Sequence, residues 1–153
     1  MNYWLIKSEP DDFSIDDLVN APGQSTHWDG VRNYQARNFM RDQMRIGDQV
    51  FYYHSNCKEP GIVGIAELAS GAYPDHTAFD SAEKHFDPKS DPENPRWMMV
   101  DVRYIRKTRR LIPLSEIKAH ALQLDGLILI RRGNRLSVLP LSKQHWDFIL
   151  SLE

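Results

Sequence analysis

The spacing of the strand-like segments constrains the fold of this chain more than any other feature. Short runs rich in aromatic and β-branched residues cluster along the sequence, without the regular long helices of a doubly wound sheet. The predicted strands are 3–7, 49–54, 61–69, 96–106 and 136–139, and the second and third of them form a hairpin. A chain of 153 residues suits one compact domain, 1–153. We therefore predict an α+β fold, a small mixed barrel of about five strands with helices at its edges.

Capping residues locate the predicted helices. These helices are 15–18 after Ser14, a longer one from Asn33 to about Met44, 115–120, and a C-terminal one after Ser142. The predicted irregular segments are the loop 20–30, the proline- and acid-rich excursion 70–95, and the cationic tip 107–110. Pro140 is expected to end the last strand.

Composition places the chain among ordinary globular proteins, with 41% hydrophobic and 26% charged residues. No apolar run approaches the roughly 18 residues that span a bilayer. The first ten residues lack the pattern of a signal or transit peptide. The single Cys57 cannot form an internal disulfide, which fits a reducing compartment. We expect a cytoplasmic protein with no membrane partner.

Charge is segregated along the chain, although the net charge is only −2. Residues 59–95 carry eight acidic and two basic side chains, whereas residues 96–135 carry ten basic and three acidic ones. Residues 32–58 are also basic, with a net charge of +3. Either the two basic segments form one basic face for an anionic partner, or acidic and basic segments pair with each other. Arginines outnumber lysines by 12 to 7, which favours forked phosphate contacts.

The segment Trp28–Tyr34 points to a binding pocket. It places a large aromatic surface, a turn glycine, a guanidinium and a side-chain amide within seven positions. Trp28 stands beside Asp29-Gly30, a turn signal, where a core residue is less expected. Aromatic faces stack on planar ligands, and Arg and Asn contact phosphates and base edges. The segment therefore favours a flat, polar ligand, and a nucleobase of a nucleic acid fits best.

Four polar segments stand at the ends of predicted strands or helices: 7–9, 28–37, 54–56 and 131–137. If the barrel gathers these ends, they form one pocket with apolar walls and a polar floor. Taken singly, each has a simpler explanation as a capped strand end, a buried histidine or a solvated turn.

Catalytic and metal sites are less well supported. Cys57 with His54 and an acid is a conceivable nucleophile set, but no known local signature surrounds it. The 70–95 segment contains metal-ligand types at Asp75, His76, Asp80, His85 and Asp87, whose spacing matches no zinc pattern. The chain has no Walker loop and no dinucleotide-binding glycine turn. We predict no enzyme activity, no cofactor and no metal.

The chain resembles the EVE domain family over essentially its whole length. The resemblance is carried by 7–10 (KSEP), 28–38 (WDGVRNYQARN), 53–55 (YHS), 61–64 (GIVG), 73–75 (YPD), 96–97 (RW) and 132–138 (RGNRLSV). It implies a PUA-like pseudo-barrel of five or six strands surrounded by helices, related to YTH and ASCH domains. It also implies recognition of a modified base in nucleic acid, with modified cytosine in DNA as the leading ligand.

The resemblance also implies roles for individual residues. Trp28 is the stacking platform for a flipped base, and Ser8, Asn33, Arg37 and Asn38 line the polar side. Tyr53, His54 and Ser55 come from the facing strand, and Arg132 and Ser137 close the pocket. We expect phosphate contacts from Lys7, Arg32, Arg41, Arg106 and Arg109.

The predicted function is a non-enzymatic reader of 5-methylcytosine or 5-hydroxymethylcytosine, with DNA favoured over RNA as the partner. An RNA-binding PUA-like module, a small-molecule sensor or enzyme using the same pocket, and a protein-interaction module are the alternatives. A niche for a methyl group contributes only about 0.8 kcal/mol, so discrimination by the methyl alone should be about fourfold. The sequence leaves the oligomeric state open.

Overall fold

Seven strands form one mixed sheet in the computed structural model, which describes residues 1–153. The strands are β1 (Tyr3–Ser8), β2 (Ser25–Trp28), β3 (Gln49–His54), β4 (Gly61–Leu68), β5 (Tyr73–Pro74), β6 (Met98–Pro113) and β7 (Val138–Leu141). The α-helices are α1 (Pro10–Phe13), α2 (Ile15–Asn20), α3 (Tyr34–Asp42), α4 (Leu114–Ala119) and α5 (Lys143–Leu150). Single 3-10 turns cover Pro22–Gln24, His76–Phe79, Ala121–Gln123 and Ile128–Ile130. No helix is long and apolar enough to cross a membrane.

The strand order is β2-β6-β4-β3-β1-β7, and β5 also pairs with β6. β1 and β3 run parallel, and the other pairs are antiparallel. The helices are short and lie between or after the strands, so the predicted α+β fold with peripheral helices is confirmed. The number of strands exceeds the predicted five to six.

The core is centred on the adjacent strands β1 and β3. Trp4, Leu5 and Ile6 are fully buried, and β3 is buried from Val50 to Tyr53. Both strands have neighbours on each side, which explains their continuous apolar runs in place of the alternation of half-exposed strands. Helix α5 covers this region, with the ring of Trp146 stacked 3.8 Å, centroid to centroid, on that of Phe51.

Capping chemistry places the helices where the sequence predicts them. Ser14 and Ser142 each accept a hydrogen bond from the backbone N–H three residues on, which begins α2 and α5. Asn33 caps α3 in the same way, with its Oδ1 3.0 Å from the amide of Ala36. Helix α3 ends at Asp42, two residues before the predicted end.

Three predictions about the strands are wrong: one strand is missed and two strand ends are misplaced. The 20–30 loop contains β2, a four-residue edge strand with only Trp28 buried, so it lacks the alternation that marks a half-buried strand. The predicted cationic tip 107–110 lies inside the 16-residue strand β6. Pro140 lies inside β7, which an edge strand tolerates because a proline nitrogen can face away from the ladder.

A buried carboxylate anchors the start of β1 to the turn before β3. Asp48 is only 2% exposed. Its Oδ2 accepts hydrogen bonds from the indole Nε1 of Trp4 at 3.0 Å and the amide of Arg45 at 2.9 Å. Its Oδ1 accepts from the amide of Asn2 at 3.0 Å. The acceptor therefore satisfies three donors, one of them the N–H of a fully buried indole.

We expect Asp48→Asn to lower the free energy of unfolding by about 2–3 kcal/mol, because the new amide N–H₂ faces a donor and leaves it unsatisfied. Urea unfolding measures the effect. Asp42→Asn is the matched control, since the Asp42 side chain is half exposed and pairs only with Arg41. Equal unfolding midpoints for the two variants would contradict the anchoring role.

Candidate functional site

The ends of several strands surround one cleft of about 870 Å³. Its walls come from the end of β1 with α1, from β2 with the turn after it, and from the segments that follow β3 and precede β7. A further wall comes from the 70–95 excursion. The lining positions are 7–9, 12–13, 26–31, 55–56, 84–85, 135 and 137. Parts of all four polar segments noted in the sequence therefore lie on one cleft.

The sheet topology brings these segments together. In the parallel pair β1 and β3, Ser8 is in register with His54, so both strands end at the same edge of the sheet. The amide of Ser55 donates to the carbonyl of Ser8 at 2.9 Å, just beyond that edge. β7 runs antiparallel to β1 and begins where β1 ends, and the amide of Lys7 donates to the carbonyl of Ser137 at 2.9 Å.

Trp28 ends β2 and belongs to both the core and the cleft wall. Its surface is 9% exposed, and its ring forms a T-shaped pair with that of Tyr52 at a centroid distance of 5.9 Å. Packing against the core fixes the orientation of the indole before any ligand arrives. Trp28 is thus a rigid wall of the cleft, with a small accessible part.

A clamp centred on Asp75 holds the turn that follows Trp28. Asp75 is fully buried, and its Oδ2 accepts from the amide of Gly30 at 2.9 Å and from Nη1 of Arg32 at 3.0 Å. Its Oδ1 accepts from the amide and the hydroxyl of Thr77 at 2.9 and 2.6 Å. Burial opposes the charge of Asp75, but the hydrogen bonds from Thr77, Gly30 and Arg32 outweigh it and hold its pKa below the ordinary value.

The same clamp fixes the wall formed by His85. Nε and Nη2 of Arg32 donate to the carbonyl of His85 at 3.0 and 2.7 Å. The imidazole of His85 lies directly over Gly30, where an added Cβ would come within 2.5 Å of the ring. Gly30 also has φ +75°, a conformation that other residues seldom adopt. A glycine is therefore required at this point of the cleft.

Cations and carboxylates alternate around the cleft. Lys7 forms no ion pair; its Nζ lies 5.7 Å from the ring centre of Tyr53, and burial lowers the pKa of Lys7. Lys84 pairs with Asp12 at 3.5 Å. One carboxylate oxygen of Glu9 accepts from the side-chain amide of Asn56 at 2.6 Å. The cleft thus offers both donors and acceptors to a polar ligand.

His27 at the rim belongs to a hydrogen-bonded triad. Its Nδ1 lies 2.9 Å from Asp101 Oδ1 and 2.9 Å from the hydroxyl of Tyr73, which itself donates to Asp101. Burial and the carboxylate of Asp101 raise the pKa of Tyr73. The triad ties β2, β5 and β6 together beside the cleft.

The sequence profile of the EVE domain matches residues 2–152. The chain belongs to the EVE domain family. Thymocyte nuclear protein 1 of chicken (Gallus gallus) is 53% identical over 99% of this chain and 68% of its own length. The crystal structure of human thymocyte nuclear protein 1 in complex with 5-methylcytosine-containing DNA superposes with a TM-score of 0.95. It has 47% identity and covers 99% of this chain and 97% of the human one.

The PUA-like fold extends to more distant proteins. The YTH domain of a Zygosaccharomyces rouxii protein, solved in complex with N6-methyladenosine RNA, aligns with a TM-score of 0.54 over 99% of this chain and 83% of its own. At 15% identity this likeness concerns the fold alone. The EVE domain described here therefore has the PUA-like α+β architecture that the resemblance implied.

Five predicted site residues of this EVE domain lie on the cleft: Lys7, Ser8, Trp28, Ser55 and Ser137. Ser8 is 8% exposed, and its hydroxyl donates to the carbonyl of Phe13 at 2.6 Å. Its oxygen is thus held in place by the backbone at the end of α1. The contacts of these five residues with a base or a phosphate stay predictions.

The other predicted base-binding residues lie outside the lining of the cleft. Arg37 donates to the carbonyl of Arg96 at 2.6 Å and to Asn38 at 2.8 Å. His54 Nε2 accepts from the amide of Ile15 at 3.1 Å, and burial lowers its pKa. The remaining ones are Asn33, which caps α3, Tyr53, which is buried with its pKa raised to about 12, and Arg132, which is exposed in the loop before β7.

Most of the predicted phosphate-binding arginines have protein partners. Arg32 belongs to the Asp75 clamp, and Arg41 pairs with Asp42 at 2.8 Å. Arg106 forms two hydrogen bonds with the carboxylate of Glu153, at 2.8 and 2.7 Å, which lower the pKa of that carboxyl to about 2. Of the five, only the side chains of Lys7 and Arg109 have no carboxylate partner, although the backbone amide of Arg109 donates to Glu153.

Carboxylates also pair with three other cations of the basic strand β6. Arg103 pairs with Glu67, Lys107 with Asp16 and Arg110 with Glu116. Of the two interpretations of the segregated charge, pairing between acidic and basic segments therefore holds for β6. Exposed arginines without carboxylate partners include Arg109 and the loop residues Arg131, Arg132 and Arg135, of which Arg135 lines the cleft.

Sequence reasoning missed several lining residues: Glu9, Asp12, His27, Asn56, Lys84, His85 and Arg135. Glu9, Asn56 and Arg135 stand inside the polar segments already noted, so their position at strand ends was an available signal. Lys84 and His85 lie in the excursion 70–95, which long-range bonds from Arg32 fold onto the cleft. No local sequence pattern predicts those long-range hydrogen bonds.

We expect Asp75→Asn to lower the free energy of unfolding by about 3 kcal/mol at pH 7, because it removes one partner of a buried ion pair. The folded-state pKa of Asp75 lies below its ordinary value of 3.8. Its contribution is therefore complete above that ordinary value and is lost as the pH falls through the folded-state pKa. The difference between wild type and variant should shrink towards low pH.

Urea unfolding at pH 7, 5 and 3 measures this difference. Asp80→Asn is the control from the same excursion, because Asp80 is exposed and accepts only from the nearby amide of Ala82. A difference for Asp75→Asn that stays constant down to pH 3 would contradict a charged clamp.

Proposed function

We propose that this EVE domain binds DNA and reads a modified cytosine, 5-methylcytosine or 5-hydroxymethylcytosine, that is flipped into the cleft, without catalysing a reaction. The observation that carries the proposal is the cleft at the shared ends of β1, β3 and β7, walled by Trp28. It occurs in a fold that matches, at a TM-score of 0.95, a human relative solved with 5-methylcytosine-containing DNA.

The shape of the cleft suits an extruded nucleotide. Its lining combines the buried indole of Trp28 and the partly buried ring of Phe13 with polar side chains such as Ser55, Asn56 and Ser137. A base must leave its stack to enter, at a free energy of a few kcal/mol. Stacking on an aromatic wall returns about 1–3 kcal/mol, so hydrogen bonds to the base edge supply the rest.

Substitution of Trp28 tests the stacking wall. Because alanine would leave a large core cavity, Trp28→Leu is the better variant. We expect it to weaken binding of an oligonucleotide with one 5-methylcytosine by about 10- to 100-fold, the equivalent of the lost stacking. Fluorescence anisotropy at a temperature where the variant is folded measures the affinity.

Trp146→Leu is the matched control, because Trp146 is 2% exposed and packs from α5 onto Phe51, outside the cleft lining. It should destabilise the fold to a similar degree and leave binding unchanged. The panel includes cytosine and 5-methylcytosine in single- and double-stranded DNA and in RNA. Equal losses for both tryptophan variants would argue against base stacking, and a preference for RNA would support the RNA-binding alternative.

The arginines of the loop before β7 should supply the phosphate contacts, since most cations of β6 are paired with carboxylates. Arg132 is exposed and Arg135 lies on the cleft, both without carboxylate partners. We expect Arg132→Gln and Arg135→Gln each to reduce the slope of log K against log salt by about one.

Arg103→Gln serves as the control on β6, because Arg103 is already bonded to Glu67. Its salt slope should equal that of the wild type. A reduced slope for Arg103→Gln, with unchanged slopes for the two loop variants, would move the phosphate path from the loop to β6.

A further inference from the structure

Glu9 differs from the other acidic side chains of the cleft in how it is held. Asp12 pairs with Lys84 across 3.5 Å, and Asp29 is exposed on its turn. Glu9 is half-buried, and its only side-chain hydrogen bond comes from the neutral amide of Asn56, at 2.6 Å to Oε1. The second carboxylate oxygen has no protein donor, so it is an unused acceptor in the cleft.

The backbone around Glu9 fixes the position of that acceptor. Its carbonyl accepts from the amides of Asp12 and Phe13, both at 2.9 Å, at the start of α1. The preceding residue, Ser8, is in register with His54 at the end of the sheet. Asn56 itself has φ +49°, and its side chain crosses from the segment after β3 to reach Glu9. The backbone of Glu9 is therefore held at the start of α1, and its side chain by Asn56, before a ligand binds.

We infer that Glu9 reads the exocyclic amino group of the flipped base and so restricts the cleft to cytosine-type bases. The inference rests on the proposed function. An ionised carboxylate only accepts hydrogen bonds. Cytosine and 5-methylcytosine present an N4 amino donor, whereas thymine presents the O4 acceptor at the same place. Thymine also carries the 5-methyl group, so it differs from 5-methylcytosine only along this edge.

The neighbouring cleft groups complement the rest of the cytosine edge. N3 and O2 of cytosine are acceptors. Lys7, two residues before Glu9, offers an ammonium that no carboxylate occupies, and Ser55 offers a hydroxyl on the next strand end. One acceptor with donors nearby suits the cytosine edge and opposes the thymine edge, which carries an N3–H donor and an O4 acceptor.

The test compares oligonucleotides that carry 5-methylcytosine, cytosine or thymine at one position, against wild type and Glu9→Gln. Wild type should bind 5-methylcytosine about 10- to 100-fold more tightly than thymine. The reason is that the N4 amino group donates to the Glu9 carboxylate, whereas the O4 of thymine is a second acceptor facing it. In Glu9→Gln the carbonyl oxygen stays on Asn56 and the amide N–H₂ takes the place of the free acceptor. The ratio should fall to about one or reverse.

Two further variants keep the result independent of folding and net charge. Asp12→Asn removes a neighbouring negative charge, so it should strengthen binding of all three oligonucleotides by one factor and preserve the ratio. Asn56→Gly removes the amide that orients Glu9 while tolerating the positive φ, and it should reduce the ratio without abolishing it. Thermal melting of each variant checks the fold.

The outcomes separate this inference from the proposed function. Equal binding of 5-methylcytosine and thymine by wild type, or an unchanged ratio in Glu9→Gln, overturns the role of Glu9 even when 5-methylcytosine is preferred over cytosine. Equal binding of 5-methylcytosine and cytosine, with thymine rejected in a Glu9-dependent way, supports the role of Glu9 and rejects the reading of a modification. Absence of binding to any oligonucleotide overturns both.

Discussion

The buried carboxylate of Asp75 is the interaction on which the cleft depends. Asp75 lies in the excursion 70–95, where it accepts hydrogen bonds from Thr77. It also accepts from Gly30 and Arg32, which links the excursion to the turn after Trp28. A buried charge of this kind is stable only because several donors surround it. The sheet provides the strand ends, but the clamp turns an edge of the sheet into a walled cleft, because it holds the His85 wall over Gly30.

The distribution of ion pairs bears on the proposed binding of DNA. The cations of β6 are largely bonded to carboxylates, and Glu153 alone engages Arg106 and the amide of Arg109. Exposed pairs of this type contribute little to stability, but they remove charge that would otherwise attract phosphates. The loop of Arg131–Arg135, next to the cleft, keeps its charge. In the proposed function these arginines would draw phosphates towards the cleft.

The sequence predicts this architecture wherever the signal is local. Caps at Ser14, Asn33 and Ser142 locate three helices, and polar residues after apolar runs mark the strand ends that meet at the cleft. It fails where a partner lies far along the chain. β2 is defined by pairing with β6, about 75 residues away. The local sequence around Arg32 is equally compatible with a buried ion pair and with a phosphate contact. Only the fold separates these two roles.

In the proposed function, rigidity would let a small domain discriminate between similar bases. Trp28 is packed against the core, Ser8 is bonded to Phe13, and Glu9 is bonded to Asn56, so little ordering remains when a base enters. A methyl group buried in a preformed niche gives only a modest gain. A base whose edge places an acceptor against a fixed acceptor loses far more binding free energy, because neither of the two acceptors can turn away or regain water. If Glu9 acts as we infer, the edge of the base sets which base the cleft accepts, and the methyl group adjusts the affinity within that class.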